Sequence, residues 1–248
     1  LLDLWADGER EHLATFLAEV AATRGRTVGP VEAVVETGDR RSTLECVGSN
    51  LTDDTAIAGL TLNFRDVTER KALEEQLRKL AFHDPLTLLA NRSLFWNRVE
   101  HALALAQRTS QRVAVMFLDL DNFKNVNDSL GHDAGDRLLQ AAAQRLVKST
   151  RPSDTVARLG GDEFAILLEG IGSDTDVERI ARSVSEAFNR PLLLDGRKTE
   201  ATASIGVACS RPGDDAEQLL RNADIAMYGA KAAGKARLVV FQPHMQEQ

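Results

Sequence analysis

Residues 113–118 read Val-Ala-Val-Met-Phe-Leu, with no charged or hydrogen-bonding side chain on either alternating face. A run of this kind needs apolar cover on both sides, which predicts the central strand of a sheet sandwiched by helices. It leads directly into Asp119-Leu120-Asp121. Acids at the end of a buried strand open onto a cleft, so this point is the first place to look for chemistry.

The pattern on either side supports a layered fold. Apolar positions at helical spacing predict helices over 93–107, 134–149, 175–189 and 216–232, and β-rich runs predict strands at 156–159, 164–168, 199–208 and 238–241, with a short one near Leu192. The resulting class is α+β, a mixed central sheet flanked by helices. Before it, residues 9–23 predict a helix, and runs 31–37 and 41–47 a hairpin about Gly38-Asp39. A third strand is expected at about 58–66. From Thr68 a helix carries Leu73, Leu77 and Leu80 on one stripe and is ended by Asp84-Pro85. It is too short to coil independently and would pair only beside another contact.

Composition excludes several classes. A formal charge of -7 over 248 residues argues against general nucleic-acid binding, which needs basic surface. No stretch reaches the roughly 18 apolar residues of a membrane span. Cys46 and Cys209 lie outside any metal-ligand spacing and read as reduced, packed residues. These features make the cytoplasm the expected compartment. A chain opening on Leu1 rather than Met points to a fragment, with sensor or membrane segments upstream.

A second acidic cluster, Asp162-Glu163, follows Gly160-Gly161 between two apolar strands. Glycines there permit a tight hairpin. If the two strand ends lie side by side, Asp119 and Asp162 converge, and adjacent carboxylates at neutral pH call for a cation; hard oxygen ligands imply magnesium or manganese. The plainer alternative is a turn with solvated acids. Between the clusters, 123–128 followed by Gly131-His132-Asp133-Ala134-Gly135-Asp136 reads as a polar loop entering a helix. Free N–H groups at that helix start, with Lys124 beside them, suit a phosphate. Asn127 and Asp136 match the donor and acceptor edge of guanine, although, taken alone, such residues are more often a turn residue and a helix-start acid.

The motifs Phe117-Leu118-Asp119-Leu120-Asp121-Asn122-Phe123-Lys124-Asn125-Val126-Asn127-Asp128, Gly131-His132, Gly135-Asp136 and Arg158-Leu159-Gly160-Gly161-Asp162-Glu163-Phe164 resemble the GGDEF family of diguanylate cyclases. Asp84-Pro85-Leu86-Thr87, Asn91-Arg92, 204–208, Tyr228 and Lys231 continue the likeness, which covers about residues 82–241. It implies a cyclase joining two GTP into cyclic di-GMP. By resemblance, Asp119, Asp162 and the Leu120 carbonyl ligate metal, and Glu163 assists. Asp162 and Glu163 carry the catalysis. Asn122, Phe123, Lys124, Lys231 and Lys235 hold the triphosphate, Asn127 and Asp136 select guanine, and His132 braces the pocket. The family works as a homodimer, each domain holding one GTP. Arg151 and Asp154 resemble its product-inhibition pair, with Arg182 as a further contact for cyclic di-GMP. Leu88 and Gly234-Lys235-Ala236 depart from the family's usual glycine and Gly-Arg-Asn.

Ser49-Asn50-Leu51 and Asn63-Phe64-Arg65-Asp66-Val67-Thr68-Glu69-Arg70-Lys71 resemble the C-terminal part of a PAS sensor domain, so the implied organisation is a partial PAS-like sensor domain over 1–67, a connecting signalling helix over 68–83, the cyclase domain over 84–243 and a tail over 244–248. The run 239–245 resembles the exit toward an EAL phosphodiesterase domain. An alternative function is a weakly active or inactive GTP- or cyclic di-GMP-binding module that regulates an adjacent domain; a third is a purely structural dimerisation module.

Overall fold

A computed structural model describes residues 10–37, 40–109, 111–188, 190–194, 197–199 and 201–247. The chain divides into two units, Leu1–Arg78 and Lys79–Gln248. In the first, helix α1 (Arg10–Ala22) buries Leu13, Phe16 and Val20, one stripe at helical spacing, against Ala33, Val35 and Cys46. The last three lie on strands β1 (Thr27–Thr37) and β2 (Arg40–Leu51), which with β3 (Gly59–Asp66) form an antiparallel sheet in the order β1-β2-β3. Buried Asn50 donates to the Ala21 carbonyl at 2.6 Å and accepts from the Thr52 N–H and hydroxyl, closing the end of α1. Helix α2 (Thr68–Phe82) starts where Asp66 Oδ1 accepts from the Thr68 N–H at 3.0 Å. Leu73, Leu77 and Leu80 on it are exposed.

The second unit runs α3 (Arg92–Thr109), β4 (Arg112–Leu120), α4 (Phe123–Leu130), α5 (His132–Ser149), β5 (Thr155–Gly160), β6 (Glu163–Ile171) and α6 (Asp174–Phe188). There follow β7 (Leu192–Leu194), β8 (Arg197–Thr199), β9 (Ala203–Cys209), α7 (Ala216–Ala232), β10 (Leu238–Val240) and a 3₁₀ turn, Pro243–Glu247. Five strands pair in the order β10-β9-β4-β6-β5, antiparallel except for β9 with β10, while β7 and β8 form a separate ribbon. Period-two alternation along β4 sorts the layers. Ala114, Met116 and Leu118 join the core under α5 and α6; Val113, Val115 and Phe117 join the core under α3 and α7. This is the expected mixed α+β sheet. No helix among the described residues is long and apolar enough to cross a membrane.

Some expectations change. The strands of the first unit are longer than predicted, because the β1–β2 pairing extends to Thr27↔Ser49 past an irregularity between Val28 and Val31. The predicted Gly38-Asp39 turn lies outside the described residues, as do Glu9 and Asn189 at predicted helix ends. Residues 123–130 form a helix rather than a loop. Asn122 takes φ 58°, which swings the chain into the helix, and Phe123 and Val126, one turn apart, rest on the core. The predicted strand 199–208 is two pieces: Thr199 ends the ribbon, and β9 begins only at Ala203. Between them Thr202 leaves the ladder to bond Asp121, its carbonyl accepting from the Asp121 N–H at 2.9 Å.

One ion pair fastens the sheet edge. Asp84 accepts from the Thr87 N–H and hydroxyl, making the turn after α2, and receives Arg158 Nη1 on both oxygens at 3.0 and 3.1 Å. Burial alone would raise the Asp84 carboxyl, but the Thr87 hydrogen bonds and the Arg158 pair outweigh it and hold it below the ordinary carboxylate range. Unfolded, such a group titrates near ~3.9. Its stabilisation is therefore complete above that pH and lost as pH falls through the lower folded value. Asp84→Asn is expected to flatten the acid limb of a stability–pH profile below about pH 4. Arg158→Ala should cost about 3 kcal/mol in denaturant unfolding at pH 7, because it strands a mostly buried carboxylate.

Candidate active site

Register brings the two acidic clusters together. Antiparallel pairing sets Asp119 opposite Glu163, and the Leu120 N–H donates to the Asp162 carbonyl at 3.2 Å. Odd-numbered positions of β4 face α3 and α7, so Asp119 continues the row of Val113, Val115 and Phe117 and meets α7. There Lys231 Nζ donates to Asp119 Oδ2 at 2.6 Å. Glu163, by the same alternation with Ala165 and Leu167, shares that face and lies 3.7 Å from Arg92. It lines a cleft of about 480 Å³ with Arg92, Trp96, Phe117 and Met227.

The electrostatics favour a cation. Burial raises the Asp119 carboxyl; the Lys231 hydrogen bond opposes this, the charges of Asp162 and Asp121 add to it, and the net shift is upward. One lysine does not neutralise the site. The available donors, the Asp119, Asp162 and Glu163 carboxylates and the Leu120 carbonyl, are hard oxygens suited to magnesium or manganese. No three such side chains are already gathered around a common point among the described residues. Lys231 engages Asp119 and Arg92 lies near Glu163, so an ion would compete with these two cations for the carboxylates.

The triphosphate candidates cluster next to these acids. Asn122 stands before α4, whose first turn has no side-chain cap, leaving N–H groups open toward an anion. Lys235 Nζ reaches Asn122 Oδ1 at 2.9 Å, while Lys124 projects exposed from the first turn. Asn127 is half-buried over α5. A Cβ on Gly135 would land on its amide oxygen, so glycine there is what gives Asn127 its place. Asp136, the next residue, and His132, the first of α5, are both exposed. Arg151, Asp154 and Arg182 lie elsewhere. The Arg151 N–H donates to Asp154 Oδ2 at 2.9 Å in the turn before β5, at the far end of that strand from Gly160, and the Arg151 side chain comes within 3.9 Å of Asp176. Arg182 is exposed on α6, nearly two turns beyond Asp176.

The family model described as the diguanylate cyclase GGDEF domain matches residues 81–237. The chain belongs to the GGDEF family. Among curated relatives it is 42% identical over 172 residues to the bifunctional diguanylate cyclase/cyclic di-GMP phosphodiesterase MucR of Pseudomonas aeruginosa, covering 68% of this chain and 25% of MucR. Across the first such relatives the chain spans only 18–37% of their length. The solved GGDEF domain of TpbB from Pseudomonas aeruginosa superposes with a TM-score of 0.65 at 40% identity, covering 66% of this chain and 97% of that one. The coiled coil and GGDEF domain of DgcB from Caulobacter crescentus, solved with cyclic di-GMP, gives 0.63 at 29% identity, covering 77% and 96%.

Two residues of this GGDEF domain gain positioning roles that sequence reading left unassigned. Arg158 donates Nε and Nη2 to the Gly161 carbonyl at 3.0 and 2.7 Å while holding Asp84, which fixes the hairpin that presents Asp162. A lone arginine in the apolar run 156–159 was the available signal. Asp121 is buried and accepts from the Thr202 hydroxyl, the Ser204 hydroxyl and the Ala236 N–H at 2.7, 2.7 and 3.0 Å. It thereby ties the Gly234-Lys235-Ala236 turn, all three residues at positive φ, to the end of β4. Its partners come from beyond residue 200, so nothing local announces them. Asp121→Ala leaves the buried Ser204 hydroxyl and two less buried donors, the Thr202 hydroxyl and the Ala236 N–H, without their acceptor, and is expected to cost about 1–3 kcal/mol in chemical denaturation.

Proposed function

We propose that this chain carries a diguanylate cyclase domain that condenses two GTP into cyclic di-GMP and two pyrophosphates. The observation behind this reading is the Asp119–Glu163 register, which sets three carboxylates beside two lysines and an uncapped helix start. Asp119, Asp162, Glu163 and the Leu120 carbonyl hold the divalent cation, which when bound screens the triphosphate and acidifies the ribose 3′-hydroxyl. The N–H groups of Asn122 and Phe123, with Lys124, Lys231 and Lys235, bind and orient the phosphates, Lys231 exchanging Asp119 for phosphate. Asn127 and Asp136 read the guanine edge, and His132 closes the pocket. Asp162 or Glu163 accepts the 3′-hydroxyl proton on a carboxylate oxygen as the 3′-oxygen attacks the α-phosphorus of the second GTP in line and pyrophosphate leaves.

One domain binds one GTP, so the working unit is a homodimer. The exposed Leu73, Leu77 and Leu80 on α2 are the surface we assign to pairing the connecting helices of residues 68–83. In this organisation 1–67 is a PAS-like sensor remnant, 84–243 the cyclase and 244–248 a tail. Arg151 and Asp154, with Arg182, bind the product as inhibitor; relatives solved with cyclic di-GMP support such a partner.

A second reading, a nucleotide-binding module without turnover, is favoured by one feature: Lys231 occupies Asp119 rather than standing free for phosphate. Incubation of dimeric protein with GTP and magnesium, followed by chromatography, decides. Cyclic di-GMP should accumulate; GTP binding in calorimetry without product would establish the module instead.

A further inference from the structure

The turn after Asp84 holds Leu88 at φ +60°, a conformation that any residue with a Cβ disfavours. Core packing does not compensate, because the Leu88 side chain is 76% exposed. The backbone is what fixes it: its N–H donates to the Asp84 carbonyl at 2.8 Å, and its carbonyl lies 3.2 Å from His83 Nδ1. Leu88 forms a ridge between two clefts. One, of about 470 Å³, is lined by Leu88, Val147 and Pro152 together with Arg151 and Asp154; the other, of about 480 Å³, shares Leu88 and Val147.

The first cleft has polar groups without a face. Arg151 offers a guanidinium that, among the described residues, comes within 3.9 Å of Asp176, and it is suited to phosphate. Asp154 Oδ1 is buried without a hydrogen-bond partner among the described residues, an acceptor short of a donor. A guanine base offers N–H donors at its edge and a flat, weakly hydrated face, and that face needs apolar cover. Leu88, Val147 and Pro152 are the exposed apolar side chains among those lining the same cleft as these two groups.

We propose that Leu88, with Val147 and Pro152, is the apolar wall on which a guanine of cyclic di-GMP packs while Arg151 takes phosphate and Asp154 the base edge. The strained leucine is then an affinity determinant of product inhibition. The proposal rests on the reading of Arg151 and Asp154 as the product site.

Cyclic di-GMP is titrated calorimetrically into the full 248-residue chain and into Leu88→Ala, Leu88→Gly and Arg151→Ala, with thermal unfolding alongside. Alanine keeps the left-handed turn and removes the wall; glycine removes both strain and wall. Binding should weaken about fivefold in Leu88→Ala and Leu88→Gly, from loss of a few tens of Å² of apolar contact. It should weaken at least about tenfold in Arg151→Ala, from loss of a charged phosphate contact, and the glycine variant should melt higher than the alanine one. Unchanged affinity in both Leu88 variants with a loss in Arg151→Ala overturns the wall and leaves the product site standing. Unchanged affinity in Arg151→Ala removes the product site and the wall with it. A loss in the glycine variant alone assigns the effect to the turn's conformation and overturns the proposal. So does a Leu88→Ala variant that loses self-association without losing cyclic di-GMP affinity, because the ridge then serves a second copy.

Discussion

Asp162→Ala is expected to lower cyclic di-GMP synthesis by about a thousandfold or more, a loss of the size seen when a group stabilising developing charge is removed, while the thermal midpoint stays within roughly 2 °C of the parent. The two halves of this expectation have separate causes. Asp162 sits in the two-residue turn between β5 and β6, outside both cores, and its backbone carbonyl, which accepts from Leu120, survives the substitution. The fold therefore loses little. The site loses the carboxylate whose charge helps to raise the Asp119 carboxyl. Without it, Asp119 keeps Lys231 as counter-ion and has less need of a cation, so magnesium dependence should weaken together with turnover. Chromatographic assay across a magnesium series, with unfolding of the same preparation, checks both parts. Substantial residual synthesis by a folded variant would contradict the role given to Asp162.

Gly206→Ala is expected to be the most destabilising single-methyl change in the cyclase unit, about 3 kcal/mol or more, lowering the midpoint by roughly 6–12 °C for a domain of this size. Strand β9 crosses α7 so closely at Gly206 that a Cβ would overlap the Met227 nitrogen and the Ala223 carbonyl oxygen, both backbone atoms that no rotamer change can move. Relief requires α7 to lift from the sheet. Since α7 carries Lys231 to Asp119, the variant should also lose synthesis in its folded fraction. Gly229→Ala on the same helix is the control: nothing lies within 4 Å of its Cβ position, and its backbone is ordinary helix. That change should be neutral or stabilising by about 0.5–1 kcal/mol. Equal midpoints for the two alanine variants in a melting experiment would refute the close crossing.

What could be read from the chain alone was whatever depends on local pattern. The unbroken apolar run 113–118 required cover on both faces, glycines 160 and 161 required a tight hairpin, and the order of motifs pointed to the GGDEF family. Local pattern failed at 123–130, where polar residues hid a helix whose start depends on the left-handed Asn122, and at 199–208, where Thr202 leaves the strand to bond Asp121. Pairing is non-local, and only the folded chain decided it. Setting Asp119 opposite Glu163 rather than one residue away is a matter of register, and register determines which face an acid takes. Lys231 on Asp119, Arg158 on Asp84 and Ala236 on Asp121 all join residues dozens of positions apart. The sequence supplied each of these groups with its charge; the closed sheet and α7 laid upon it placed them within hydrogen-bonding distance, because backbone pairing and core burial fix those positions before any side chain can choose a partner.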